Sequence, residues 1–208
     1  MSDFFWIVRL FPHDSAEEAN AAVEACAGLG LPIVTTYSID TNGRTMMGLS
    51  ASDIVANASQ IDAPLFALGS NCGVGASELV AAVINLRTAM GDSTQPLIVA
   101  KANCGIPQYV DGEIVYDGTV EIMAEYARMA IDAGANIIGG CCGTMPEHVA
   151  AMREAIDTHQ PRAVPTQEQI EEKLGPLSTG AIAQLQGKLS VAEGSASQTA
   201  GRRRSRRR

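Results

Sequence analysis

Four short apolar runs recur about every thirty to forty residues: L-P-I-V-T-T-Y-S at 31–38, P-L-F-A-L-G at 64–69, P-L-I-V-A-K-A at 96–102 and N-I-I at 136–138. A helical pattern fills each interval. None of the runs alternates apolar with polar residues. Each is apolar on both faces, as strands are in a parallel sheet covered on both sides. Parallel neighbours need long crossovers, which the intervening helices supply. Polar and glycine-rich residues gather at the C-terminal end of these runs: G-S-N-C-G at 69–73, N-C-G at 103–105 and G-G-C-C-G-T at 139–144. That distribution favours a (β/α) barrel, whose working groups collect at that end, over a doubly wound sheet.

The helices carry their own boundary signals. Ser15-Ala-Glu-Glu18 is a capping box that opens a helix over 16–27, stopped by Gly28 and Gly30. Shorter or longer helices are predicted over 50–59, from about Ser77-Glu78 to Gly91, and over 119–133 with Val120, Met123, Ala127 and Ala130 on one side. Residues 40–43 form a turn cluster, and 106–117 a loop with a small hairpin around Asp111-Gly112. Thr144-Met145-Pro146-Glu147 reads as a helix start, with Thr144 as N-cap, proline in the first turn and Glu147 closing a capping box. The beginning of the chain fits less well. Residues 3–10 have strand composition, but Arg9 and the run Phe11-Pro12-His13 interrupt it. We therefore divide the chain into an atypical start (1–14), a barrel portion (15–160), a linker with short helices over 166–174 and 177–189 (161–191), and a Ser/Gly/Arg-rich tail predicted to be disordered (192–208).

Charge excludes some functions. The net charge is −8, yet six of the 15 basic residues fall within 202–208, leaving nine against 23 acidic residues in the body. Such a body repels nucleic acid. The arginine cluster could touch RNA or anionic lipid, or be simply a solvated terminus. No apolar run approaches the roughly 20 residues of a membrane span, and no signal-peptide pattern precedes the body. A cytoplasmic location is expected. The five cysteines, Cys26, Cys72, Cys104, Cys141 and Cys142, then read as ligands or nucleophiles rather than cross-links.

Cys72 follows one strand, and the adjacent Cys141 and Cys142 follow another. Three thiols from two strand ends can form a soft metal site with one position open, as catalytic zinc requires. Adjacent cysteines share an ion only if the backbone bends sharply, which Gly139, Gly140 and Gly143 permit. The start of the following helix adds outward-pointing N–H groups that favour thiolates. Cys104 repeats the Asn71-Cys72-Gly73 string and could be a fourth ligand; Cys26 lies inside an amphipathic helix and is packing. A thiol-redox pair at Cys141-Cys142 is disfavoured by the absence of a C-x-x-C arrangement. An open three-thiolate site suits activation of an incoming thiol for alkyl transfer better than it suits hydrolysis, because three anionic sulfurs leave the metal a weak Lewis acid.

The strings G-S-N-C-G-V-G-A at 69–76, P-L-I-V-A-K-A-N-C-G-I-P at 96–107 and G-A-N-I-I-G-G-C-C-G-T-M-P-E-H at 134–148, supported by 31–48, resemble the homocysteine S-methyltransferase family. The likeness runs from about residue 15 to 158. It implies a zinc-dependent (β/α)8 TIM barrel in which Cys72, Cys141 and Cys142 hold Zn2+ and Asn71 contributes to substrate binding. It further implies that homocysteine attacks a small methyl donor to form methionine, placing the chain in methionine biosynthesis. Cys104 falls where the family has a small residue that is not a ligand. Two departures stand out. There is room for about the last five βα units only, and Trp6-Ile7-Val8-Arg9 stands where the family carries a W-x-E-T-like string, so the carboxylate is missing. The expectation is an impaired enzyme that self-associates or needs a complementing chain, the alternative being an inactive zinc-binding remnant or partner subunit.

Overall fold

The computed structural model describes residues 8–39 and 42–188. Five strands form one parallel sheet in sequential order: β1 (Val8–His13), β2 (Ile33–Tyr37), β3 (Leu65–Asn71), β4 (Leu97–Ala102) and, after a separate hairpin of β5 (Pro107–Val110) and β6 (Glu113–Tyr116), β7 (Ile137–Gly140). The crossovers are made by α1 (Ala16–Cys26), α2 (Ala51–Ala58), α3 (Ala76–Met90) and α4 (Val120–Asp132), and α5 (Pro146–Thr158) follows β7. A doubly wound sheet reverses its strand order at one point; this one never does. Right-handed crossovers in unbroken order keep all helices on one side. The packing agrees: Tyr37, Leu68, Ile98, Ala100 and Ala102 on that side join Leu79, Val83, Leu86, Met123 and Tyr126 in one large core. On the other side Val34, Ala67 and Val99 form a small separate cluster with the half-buried Phe66, Leu97 and Ile137. The sheet is therefore the arc of a partial (β/α)8 barrel, with the helices outside and the smaller cluster on its inner face.

Several boundaries differ from expectation for physical reasons. The first strand runs to His13, beyond the point where Phe11-Pro12-His13 was expected to end it. It pairs in parallel with β2 from Val8↔Ile33 to His13↔Tyr37, with the register slipping between Arg9 and Pro12. Pro12 is tolerated because β1 is an outer strand among the described residues and the slip absorbs its missing donor. Ser15 caps α1 by accepting the Glu18 N–H (3.2 Å), but the Glu18 carboxylate takes the N–H of Asp14 (3.4 Å) rather than closing the box on Ser15. Thr144 is not the cap of α5. Its side chain occupies the space left by Gly140, where an added Cβ would lie 2.2 Å from Thr144 Oγ1. Met145 is the N-cap, and its N–H donates to His148 Nδ1 at 2.9 Å. Trp6 and Ile7 of the departing string, Asp40 and Thr41 of the turn cluster, and the 192–208 tail lie outside the described residues. No helix among the described residues is long and apolar enough to cross a membrane.

Two further helices, α6 (Gln167–Leu174) and α7 (Thr179–Leu185), close the described chain. The latter is shorter than the 177–189 predicted because Ser178 caps it and Gly187 turns out of it with φ 68°. Ile170, Leu174, Leu177 and Ala181 join the large core, while Gln184 Nε2 donates to the carbonyls of Asn42 (3.0 Å) and Gly43 (2.8 Å). This segment straps the helical layer and anchors the loop that follows β2.

Tyr126 of α4 sits at the junction on which the C-terminal ends of β4 and β7 depend. Fully buried, its hydroxyl accepts the Ala102 N–H (3.3 Å) and donates to the Gly139 carbonyl (3.4 Å). Burial drives its pKa far upward, so it remains a donor. Ala102 also pairs with Gly140 in the β4–β7 ladder, so Tyr126→Phe removes the hydroxyl's additional bonds to the two strands without orphaning the amide, at a cost of about 0.5–1.5 kcal/mol. The urea midpoint is expected to fall by that equivalent at unchanged m-value; a midpoint equal to wild type would show that the hydroxyl does not brace the two strands.

Candidate metal centre

Cys72 directly follows β3, and Cys141 and Cys142 directly follow β7. Their three sulfurs lie within 4.8 Å of one another, Cys72 to Cys142 at 3.7 Å and Cys141 to Cys142 at 3.9 Å. The end of β4 holds both loops. The Cys72 N–H donates to the Lys101 carbonyl (3.1 Å), the Cys141 N–H to the Ala102 carbonyl (2.7 Å), and the Cys104 N–H to the Cys142 carbonyl (2.9 Å). Cys72 has φ 65°, a left-handed conformation rare for a residue with a Cβ. The turn that aims its thiol at the pair is completed by Gly73 at φ 74°, where a Cβ would meet the Ile39 carbonyl oxygen at 2.7 Å.

Two asparagines orient the sulfurs. Asn71 is 1% exposed; it donates Nδ2–H to Cys141 Sγ (3.2 Å) and accepts the Thr36 hydroxyl (3.2 Å). Asn103 Oδ1 accepts the Cys142 N–H at 3.2 Å, and its side chain also hydrogen-bonds Cys72. Cys104 stands apart. Its buried thiol faces the Gly118 carbonyl (3.4 Å) and His148 Nε2 (3.5 Å), outside the three-sulfur group. Cys26 is half-buried on α1, far from this chemistry. The helix-start reading of the thiol environment also changes. The N–H of Met145 is taken by His148, and the donors that touch the sulfurs are Gly73, Asn71 and Asn103.

The donor set fits zinc. With Zn–S bonds of about 2.3 Å, the edges of a sulfur tetrahedron are about 3.8 Å, and two of the three edges here measure 3.7 and 3.9 Å. Electrostatics point the same way. Burial pushes the Cys72 thiol up, but the Gly73 N–H and hydrogen bonds from Cys142, Cys141 and Asn103 outweigh it, so its pKa lies below the ordinary thiol value. Burial, then the negative charges of Cys72 and Cys142, push Cys141 up to about 11. Without a cation the site therefore favours one thiolate and opposes the next; a divalent ion removes the opposition.

A family model described as homocysteine S-methyltransferase matches residues 5–156. The chain belongs to the homocysteine S-methyltransferase family. Its fold is similar to solved structures of the homocysteine methyltransferase MmuM from Escherichia coli. The apo form shares 23% identity at a TM-score of 0.56, the match covering 72% of this chain and 49% of that one. The oxidized form shares 25% identity at a TM-score of 0.52, covering 68% and 42% respectively. The chain thus spans about half the length of these structures.

The sequence singles out the three cysteines, which the structure brings together, and Asn71, expected there as a substrate contact and found here hydrogen-bonded to Cys141; it passes over three neighbours. Asn103 was legible in principle, since N-C-G closes β4 as it closes β3. Tyr116 had no local signal, because its ring reaches Gly143 through tertiary packing; His148, which faces Cys104 behind the cluster, is fixed by the start of α5. The thiol order can be measured on metal-free protein. At pH 8, iodoacetamide followed by peptide mass mapping is expected to alkylate Cys72 before Cys141, since Cys141 stays protonated until pH nears 11. Equal rates at the two positions would contradict the asymmetry.

Proposed function

We propose that Cys72, Cys141 and Cys142 hold Zn2+ and that this centre serves methyl transfer to homocysteine, giving methionine. The observation that carries the reading is the convergence of three sulfurs at tetrahedral-edge spacing. Zinc bound there would supply positive charge that keeps an additional, incoming thiol deprotonated near neutral pH. In the transfer the substrate thiol loses its proton to solvent, a sulfur–methyl bond forms, and the bond between methyl and donor breaks. The chain's own part is orientation. Asn71, backed by Thr36, fixes Cys141 and through it the position at which the substrate sulfur must arrive, and Asn103 fixes the backbone of Cys142. A reducing cytoplasm suits such a site, whose thiols must stay free.

A second reading is a zinc-binding subunit that turns over only with a second copy or a complementing chain. The observation favouring it is that β1 and β7, the outer strands of the sheet, each have one strand neighbour among the described residues. Metal analysis and turnover separate the possibilities. Purified wild type is expected to carry about one zinc per chain and Cys141→Ser to lose nearly all of it, because removing one of three thiolates opens the site. Unchanged stoichiometry would reject Cys141 as a ligand. Methionine formation from homocysteine and a methyl donor by the chain alone supports a self-sufficient enzyme; formation only after a complementing barrel portion is added supports the subunit reading.

A further inference from the structure

β4 runs out into Asn103 and Cys104, and these two residues hold the loop that carries the vicinal cysteines. The Cys142 N–H donates to Asn103 Oδ1 (3.2 Å), and the Cys104 N–H donates to the Cys142 carbonyl (2.9 Å). The Cys104 thiol makes a further link, through His148 on the first turn of α5. The Met145 N–H donates to His148 Nδ1 at 2.9 Å, so that nitrogen carries a lone pair and no proton. The neutral imidazole then has its hydrogen on Nε2, which lies 3.5 Å from Cys104 Sγ and donates to it. A carbonyl can only accept, so the 3.4 Å contact between Cys104 Sγ and the Gly118 oxygen uses the S–H. The donors therefore run one way: Met145 N–H to His148, His148 Nε2–H to Cys104, Cys104 S–H to Gly118.

Both side chains are buried, and Cys104 lies outside the three-sulfur group. Gly118 makes room for the thiol, since a Cβ there would lie 2.7 Å from Cys104 Sγ. Helix capping alone does not account for the imidazole. α2 and α6 close the same kind of box with Asp53 and Gln169. An imidazole adds, beyond its accepting nitrogen, an N–H on the far side of the ring, and here it reaches the residue already bonded to Cys142.

We propose that Cys104 and His148 are positioning residues of the metal centre, their side chains forming a one-way hydrogen-bond relay that ties the loop at Met145 to the residue that grips it at Cys142. The proposal rests on the reading that the three cysteines hold a metal ion. Its physical purpose follows from the loop. Residues 141–145 carry two of the three sulfurs, and Gly143, at φ 74°, lies between the two grips. Fixing the loop on both sides of that glycine keeps the vicinal pair ordered before the ion arrives, so less ordering is charged to binding and the ion leaves more slowly.

The test uses the full chain. On 15N-labelled protein, imidazole NMR is expected to show His148 with Nδ1 bare and Nε2 protonated; a proton on Nδ1 would overturn the proposal whether or not any variant folds. Zinc release to excess chelator is the second readout. His148→Gln keeps an acceptor for the Met145 N–H, as Gln169 does for Thr166 (2.9 Å), and loses the link to Cys104. It and Cys104→Ala are each expected to release zinc about tenfold faster than wild type. The double variant should be no faster than the quicker single, because one break already interrupts the relay. Cys26→Ala on α1 is the control and should keep the wild-type rate. Wild-type release in both singles, additive effects in the double variant, or an equal effect in Cys26→Ala would each overturn the proposal. If wild type bound no zinc, the metal reading itself would fall and this proposal with it, an outcome distinct from a zinc-loaded wild type whose variants release the ion at the same rate.

Discussion

The parallel ladder between β3, β4 and β7 is the constraint on which the candidate site depends. Cys72 and Cys142 are 70 positions apart, and their sulfurs approach to 3.7 Å because both loops hang from consecutive carbonyls, those of Lys101 and Ala102, at the end of β4. A parallel register fixes not only height but face: a slip of one residue would turn each side chain to the opposite side of the sheet. The left-handed backbone of Cys72, a conformation costing about 1–2 kcal/mol, persists because these hydrogen bonds over-determine it. Gly69 makes the same point lower in the ladder. A Cβ there would sit 2.0 Å from the Val99 carbonyl oxygen, so β3 and β4 close to a distance that only glycine permits.

Magnitudes decide what the cluster is for. Two thiolates about 3.8 Å apart repel by about 4 kcal/mol at an effective dielectric of about 20. A hydrogen bond to a charged group returns only about 1.5–3 kcal/mol. Hydrogen bonds from Gly73, Asn71 and Asn103 can therefore support one thiolate and not three, which is the pattern of a lowered Cys72 beside a Cys141 raised to about 11. A nucleophilic cysteine would need one ionised thiol and no others crowded against it. Three sulfurs packed this closely make physical sense around a cation.

What the sequence could disclose follows from the range of the interactions involved. Apolar runs located β2, β3, β4 and β7 to within one or two residues. The helix predicted from 16 begins there and those predicted from 50, 119 and 166 begin one residue later, after the caps Ser15, Ser50, Thr119 and Thr166, because burial and caps are local matters. The identical N-C-G strings at Cys72 and Cys104 show the limit. Cys72 adopts a positive φ and turns its thiol to the cluster. Cys104 does not, and its thiol is drawn to Gly118 and His148 on the helical side. The tripeptide is the same; the neighbours decide. The cap of α5 went astray for the same reason, since Thr144 had the right chemistry for an N-cap but was claimed by the vacancy at Gly140. Carrying β1 on to His13 required knowing that it is an outer strand among the described residues, where Pro12 does no harm.

The two halves of the site are not equally supported. β3, which presents Cys72, lies between two strands, whereas β7, which presents the vicinal pair, has one strand neighbour among the described residues. An edge strand of four residues would fray if held by its ladder alone. Three devices compensate. Asn136, just before the strand, exchanges two hydrogen bonds with Ile98, its N–H to the carbonyl and its Oδ1 from the N–H, each at 2.9 Å. Tyr126 bonds the other end of the strand to β4. The Tyr116 ring covers the turn beyond it. Each acts from an element other than β7 itself, so the precision of the cysteine pair is supplied by α4, β4 and the hairpin. The G-G-C-C-G-T string provides the sulfurs and the room to bend; their placement belongs to residues as far as 70 positions away in the chain, and that is why the string alone specifies a chemistry but not a geometry.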